Sequence, residues 1–168
     1  MQKNTLSILF LMLSVPLMGQ RTMEKTMAKL LKGDVPVVYV TELSVNPSYI
    51  TLDAREKEEF EVSHLPGAHY IGDKDFDPKK IQSLVPNKDA TVVVYCSIGV
   101  RSKKIGKKLM ALGYTNVKNL AGGIFQWKND GYSVIDAFGN ETERVHAYNR
   151  FFGMLLSKGE KVYGPEND

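Results

Sequence analysis

The 168-residue chain is poor in cysteine, in net charge and in long apolar runs, and each shortage removes a class of protein. A single cysteine, Cys96, cannot close an internal disulfide. With no second thiol, and no His, Asp and Glu grouped at ligand spacing, no metal site is expected. The net charge of +3, with few aromatics and scattered lysines, excludes the basic, aromatic-lined surface of a nucleic-acid binder. No glycine-rich nucleotide loop, internal repeat or low-complexity tract is present. The one apolar run, Leu6 to Met18, is about 13 residues, short of the roughly 20 that a membrane span needs.

What is present at the N-terminus has the layout of a secretory leader. Lys3 precedes the apolar run, Pro16 lies near its end, and Gly19-Gln20-Arg21 follows it. Residues 1–19 are therefore expected to be a signal peptide cut after Gly19, with an uncleaved anchor as the alternative. No stable membrane span is expected after cleavage, and the expected compartment is the bacterial periplasm or cell envelope. Lipoprotein anchoring through a cysteine is not expected, because no cysteine lies near the cleavage region.

The remaining chain is long enough for one domain with a proper core, and its 43% hydrophobic and 24% charged residues suit one. Residues 20–36 form a polar lead-in, partly helical by the spacing of Met23, Met27, Leu30 and Leu31. Strands are predicted at 37–40, 49–52, 68–71, 91–95 and 116–120, with a last edge strand at 133–135. Helices are predicted at 56–62, 78–84 and 101–112, and another starts at Gly122. This alternation predicts an α/β domain over 37–135, a central parallel sheet flanked by helices on both faces. Residues 136–168 are expected to form a C-terminal helical extension. Its helix runs over 141–156, with Val145, Tyr148, Phe152 and Leu155 near one face, and its last residues, 163–168, are frayed.

Cys96 ends the apolar run Thr91-Val92-Val93-Val94-Tyr95 and opens the loop Cys96-Ser97-Ile98-Gly99-Val100-Arg101, after which a helix begins. A strand, a tight loop and a helix place the sulfur at the carboxyl edge of the sheet, facing a helix N-terminus that favours negative charge. Residues 97–101 can curl so that successive amides point inward as an anion-binding nest, with Gly99 free to take positive φ. Such donors suit a thiolate nucleophile and the charge that develops on it.

Three blocks together resemble a rhodanese-like domain. They are Leu52-Asp53-Ala54-Arg55-Glu56 with Glu59-Phe60 and His64-Leu65-Pro66-Gly67-Ala68; Val93-Val94-Tyr95-Cys96 through Arg101-Ser102; and Leu112-Gly113-Tyr114, Val117, Leu120 and Gly122-Gly123 with Trp127. The resemblance implies a sulfurtransferase in which Cys96 takes a sulfane sulfur from a donor such as thiosulfate and carries it as a persulfide. A thiophilic acceptor (cyanide, a small thiol or a protein thiol) then removes it, and no cofactor is implied beyond that covalent persulfide. Related folds with a Cys-x5-Arg loop hold phosphate or arsenate. The four residues between Cys96 and Arg101 match the shorter, sulfur-transferring form.

The resemblance implies that Ser97, Ile98, Gly99, Val100 and Arg101 form the substrate loop and that Asp53 and Arg55 support it. Arg101 either holds an anionic donor at the rim or braces the loop against a carboxylate. His64 is expected to hydrogen-bond structurally in its turn, and His69 and His146 have no supporting context. Two departures from the family stand out: Ser63 where glycine often precedes the histidine, and a nearly uncharged loop. Members efficient with thiosulfate often carry a basic residue inside that loop. Lys103, Lys104, Lys107 and Lys108 supply either a positive field nearby or a solvated helix face. The alternatives to an enzyme are a rhodanese-fold module that binds a protein, or a redox-responsive thiol.

Overall fold

The computed structural model describes residues 33–164. The leader 1–19, residues 20–32 of the lead-in and the last four residues lie outside the described residues. Ten elements alternate through the first part: β1 (Val37–Val38), α1 (Val40–Ser44), β2 (Ile50–Asp53), α2 (Lys57–Val62), β3 (His69–Tyr70), α3 (Pro78–Leu84), β4 (Thr91–Tyr95), α4 (Val100–Ala111), β5 (Asn116–Leu120) and α5 (Gly123–Asn129). The five strands form one sheet in the order β1-β5-β4-β2-β3, and every neighbouring pair is parallel. The predicted α/β sheet with helices against it is what forms.

Local chemistry explains the element ends. Glu56 and Glu59 close a capping box on α2, and Asp77 caps α3 ahead of Pro78 at its first turn. Gly113, at φ +90, follows the end of α4 and returns its N–H to Met110. Val40, expected to extend β1, instead opens α1.

β4 is central, and its Val92 to Tyr95 are all buried. Val92 and Val94 share one cluster with Leu52, Ile81, Val85, Ile105, Leu109 and Val117, which sets α3 and α4 on that face of the sheet. Val93 and Tyr95 point to the other face, by the alternation of a strand, and are no more exposed. Each fully buried valine stabilises the fold by about 1.5–3 kcal/mol relative to exposure. A strand so buried cannot shift register without losing both faces, and its last residue positions Cys96.

The C-terminal expectation is corrected. Val134–Ile135 (β6) is not an edge strand of the main sheet; it pairs antiparallel with Glu141–Thr142 (β7) and bridges to His64. No helix spans 141–156. Arg144–His146 (β8) pairs in parallel with Glu160–Val162 (β9), and the only helix there is Arg150–Gly153 (α6). Capping and turn chemistry overrides the helical spacing. Asp136 accepts the N–H groups of Phe138 and Asn140, Gly139 takes φ +83, and Asn149 caps a new helix by accepting from Phe152 N–H.

Candidate active site

Cys96 is 1% exposed and follows the carboxyl end of β4. Its Sγ accepts the Gly99 N–H at 3.1 Å and faces the Ser102 hydroxyl at 3.5 Å. Gly99 sits at φ +102 as the residue before α4, a conformation that turns its amide back onto the sulfur. The predicted nest is thus anchored by Gly99. The first-turn amides of Val100, Arg101 and Ser102 have no partner within their own helix by helix geometry. Ser102 Oγ donates to Asn119 Oδ1 at 2.7 Å, and Asn119 Nδ2 donates to the Gly99 carbonyl at 2.9 Å. β5 therefore holds the glycine turn in place through Asn119.

The base of the loop is gripped from below. Ile124 N–H donates to the Cys96 carbonyl at 2.9 Å and Phe125 N–H to that of Ser97 at 3.2 Å. Gly123 permits this approach: a Cβ there, at φ +54, would lie 2.0 Å from the Cys96 carbonyl oxygen. The Gly122-Gly123 pair is thereby part of the site's support and more than a tight turn.

Arg101 braces the loop, which decides between its two expected roles. Its guanidinium donates to both Glu59 oxygens, at 2.5 and 2.8 Å, and to Ser97 Oγ at 2.9 Å. Ser97 Oγ donates in turn to Glu59 Oε1 at 3.1 Å, and Glu59 Oε2 also accepts the Glu56 N–H. Burial alone would raise the Glu59 pKa, but Arg101 and then Arg55 more than offset it and hold the carboxyl below its usual range. Burial likewise pulls Arg101 down, and the Glu59 pair outweighs it. Sequence reasoning assigned Glu59 no role. Its signal was the Glu at the third position of a capping box, an acid that folding carries into a buried place.

Asp53 and Arg55 do not reach the sulfur. They form a fully buried ion pair, with Arg55 Nη2 2.6 Å from Asp53 Oδ2 and 2.6 Å from the Ser63 carbonyl. The guanidinium lies over the Tyr95 ring at 5.7 Å, and the Tyr95 hydroxyl accepts the Leu65 N–H. The pair supports the site through Tyr95, the residue preceding Cys96. His64 is structural, stacked on Phe60 at 3.8 Å with Nδ1 donating to the Phe60 carbonyl, and His69 is exposed in β3.

Ile98 and Val100 line a cavity of about 180 Å³ above Cys96, together with Ser97 and Arg101. Its far wall is Tyr148 and Phe152 from the C-terminal segment, with Tyr148 over the Arg101 guanidinium at 5.1 Å. Neither aromatic residue was predicted for the site, because the expected helix concealed the turn that brings them there. His146, given no context by the sequence, is 8% exposed and accepts the Tyr148 N–H at Nδ1. Burial pushes its pKa below the ordinary histidine value. Among the described residues, no group of three or more His, Cys, Asp or Glu is placed to hold a metal, and no helix is long and apolar enough to cross a membrane.

The rhodanese-like domain family matches residues 36–130. The chain is similar to the thiosulfate sulfurtransferase PspE of Escherichia coli, at 36% identity over 91 residues covering 54% of this chain and 86% of that protein. It is also similar to the adenylyltransferase and sulfurtransferase UBA4 of Candida albicans, at 31% identity covering 61% of this chain. The chain spans only a quarter, 25%, of that fungal relative's length. Among solved structures, a rhodanese-related protein of Thermoplasma volcanium superposes with a TM-score of 0.52 at 26% identity, covering 60% of this chain and 97% of that one. The human single-domain sulfurtransferase TSTD1 gives 0.50 at 25% identity, covering 57% and 97%.

Proposed function

The chain belongs to the family of rhodanese-like domains, and from that membership we propose that it is a sulfurtransferase with Cys96 as the persulfide carrier. One observation carries the reading: the Cys96 sulfur lies at the floor of a cavity, on the Gly99 N–H and beside the Ser102 hydroxyl, in a loop braced by Arg101 and Glu59. With thiosulfate, the Cys96 thiolate attacks the outer sulfur, the S–S bond breaks and sulfite leaves with its electron pair, giving Cys96–S–S⁻. Cyanide then takes the outer sulfur as thiocyanate and restores the thiolate. The Gly99 N–H stabilises negative charge on sulfur in both steps, while Arg101, Glu59 and Asn119, the last holding the Ser102 hydroxyl, keep the loop from relaxing around it. The acceptor class is a thiol or cyanide. Export to a bacterial periplasm or envelope is proposed with it, supported by the leader-like layout of residues 1–19.

Intact mass tests the reading. The purified protein is incubated with thiosulfate or with a thiosulfonate, with and without cyanide, beside Cys96→Ser. The expected result is a gain of one sulfur atom that cyanide removes and the variant lacks. No adduct with either donor, or an adduct on Cys96→Ser, overturns it.

A further inference from the structure

We propose that the segment 144–163 completes the Cys96 site as an aromatic collar, and that the donor it admits is an organic sulfane-sulfur compound whose carbon group is apolar and about the size of a benzene ring. The proposal rests on the sulfurtransferase reading and names the substrate class of that site. Three observations carry it.

The first is the size and character of the cavity. An open-mouthed cavity of about 180 Å³ lies above the sulfur, comparable in volume with the roughly 150 Å³ apolar cavity that admits benzene. Its walls beyond the nucleophile and Ser97 are Ile98, Val100, Tyr148 and Phe152, with Arg101 the one charged residue. The second is the charge state of that residue: Arg101 is already paired through two hydrogen bonds with Glu59. A dianion such as thiosulfate therefore meets backbone N–H groups but no uncommitted cation among the lining side chains. An apolar group loses nothing there and gains contact with two aromatic rings.

The third is that the collar is built. Tyr148 is the one described non-glycine residue with positive φ, at +66. It is held there by its N–H to His146 Nδ1 at 3.2 Å and by its ring over Arg101. Asn149 caps α6 and so aims Phe152, whose ring meets Tyr148 edge-on at 5.7 Å. A side chain kept in a costly backbone region beside a nucleophile points to a use for its position. The family match ends at residue 130, so both rings lie outside the matched domain, in the C-terminal extension.

For a persulfide donor R–S–SH, the Cys96 thiolate attacks the outer sulfur and the inner S–S bond breaks. Its electron pair leaves on R–S⁻, which takes through solvent the proton carried over on the outer sulfur. The products are Cys96–S–S⁻ and R–SH. The transferred sulfur keeps its oxidation state, so no oxidant or reductant is required.

The test compares benzenethiosulfonate with methanethiosulfonate, two monoanions that release a sulfinate and differ in the carbon group. Sulfur transfer to cyanide is measured for each, and each kcat/KM is divided by the rate of that donor with cyanide alone. The aryl donor is expected to lead by about tenfold or more, the scale on which pockets discriminate apolar groups. In Tyr148→Ala and in Phe152→Ala the ratio falls to within about threefold of one, whereas Phe152→Leu retains most of the preference. A structural role alone would lower both donors together and leave the ratio. Should the alanine variants fail to fold, Val100→Lys serves instead: a cation at the half-exposed mouth shifts preference toward thiosulfate by about tenfold. A wild-type ratio near one, or a ratio unchanged in every variant, overturns this proposal while leaving the sulfurtransferase reading intact. No transfer from any donor through Cys96 overturns both.

Discussion

Replacing Glu59 by Gln keeps the shape of the side chain and removes its charge, leaving the Arg101 guanidinium in a place built for a carboxylate. Glu59 accepts four hydrogen bonds, from Arg101 twice, from Ser97 and from the Glu56 N–H. Its side chain is 3% exposed and that of Arg101 20%. Removing one partner of a buried pair costs about 3–5 kcal/mol. Water reaches part of Arg101, so the lower end, about 3 kcal/mol, applies here. At about 2–4 °C per kcal/mol for a chain of this size, the thermal midpoint falls by about 6–12 °C. The Cys96 loop loses its brace, so the rate of persulfide loading falls by about tenfold or more, since small misplacements of a nucleophile are costly. Urea unfolding of Glu59→Gln, Arg101→Met and the double variant supplies the assay. The two losses are expected to be non-additive by more than about 1 kcal/mol, as for any pair in direct contact. A Glu59→Gln loss below about 0.5 kcal/mol, the range of an ordinary surface change, refutes the reasoning. Strict additivity in the double variant does so equally.

Gly123→Ala places a methyl against the Cys96 carbonyl, a backbone atom that cannot rotate away. A loss of about 3 kcal/mol or more is expected from overpacking joined to positive φ, with slowed sulfur loading; a near-neutral stability by urea denaturation would show that the loop and α5 do not meet as described. The pH dependence of stability follows from His146 and Glu59, both held below their ordinary pKa values. The groups facing His146 are Glu59, Arg55, Arg101 and Glu58, and burial is the main cause of its shift. A depressed pKa means that the unfolded chain binds the proton more readily. The His146 contribution is therefore present above the unfolded value near 6.5 and is lost as pH falls below it. Glu59 adds a second decline below 4.5, on the same sign. Urea midpoints between about pH 8 and 5 measure the first decline, and His146→Asn, whose amide oxygen can still accept the Tyr148 N–H, should flatten it. An equal slope in the variant would assign the decline to other groups.

Much of the sheet domain was legible because its signals are local. The run 91–95 is apolar on both faces and reads as a central strand; Pro78 after Asp77 starts a helix, and Gly113 ends one. Cys96 was legible for the same reason, since a strand, a short loop and a helix fix its place in one stretch of chain. The partners of the loop were not. Glu59 lies 42 residues from Arg101 in sequence, and Asn119 lies 17 from Ser102. Nothing local to any of them reports the other. The extension was misread because Val145, Tyr148, Phe152 and Leu155 satisfy a helical period, while Asn149 and the turn glycines 139 and 159 carry the stronger signal.

By itself, then, the sequence determined the strand order along the chain, the place of Cys96 between strand and helix and the length of its loop, each written in contiguous residues whose preferences agree. The tertiary structure alone decided that Arg101 braces the loop through Glu59, because a buried carboxylate must be paired wherever folding brings it. It alone decided, too, that one wall of the cavity at Cys96 is aromatic. Tyr148 and Phe152 reach Cys96 through two turns and a strand pairing with β9, an arrangement that depends on distant backbone partners and on no pattern of neighbouring residues.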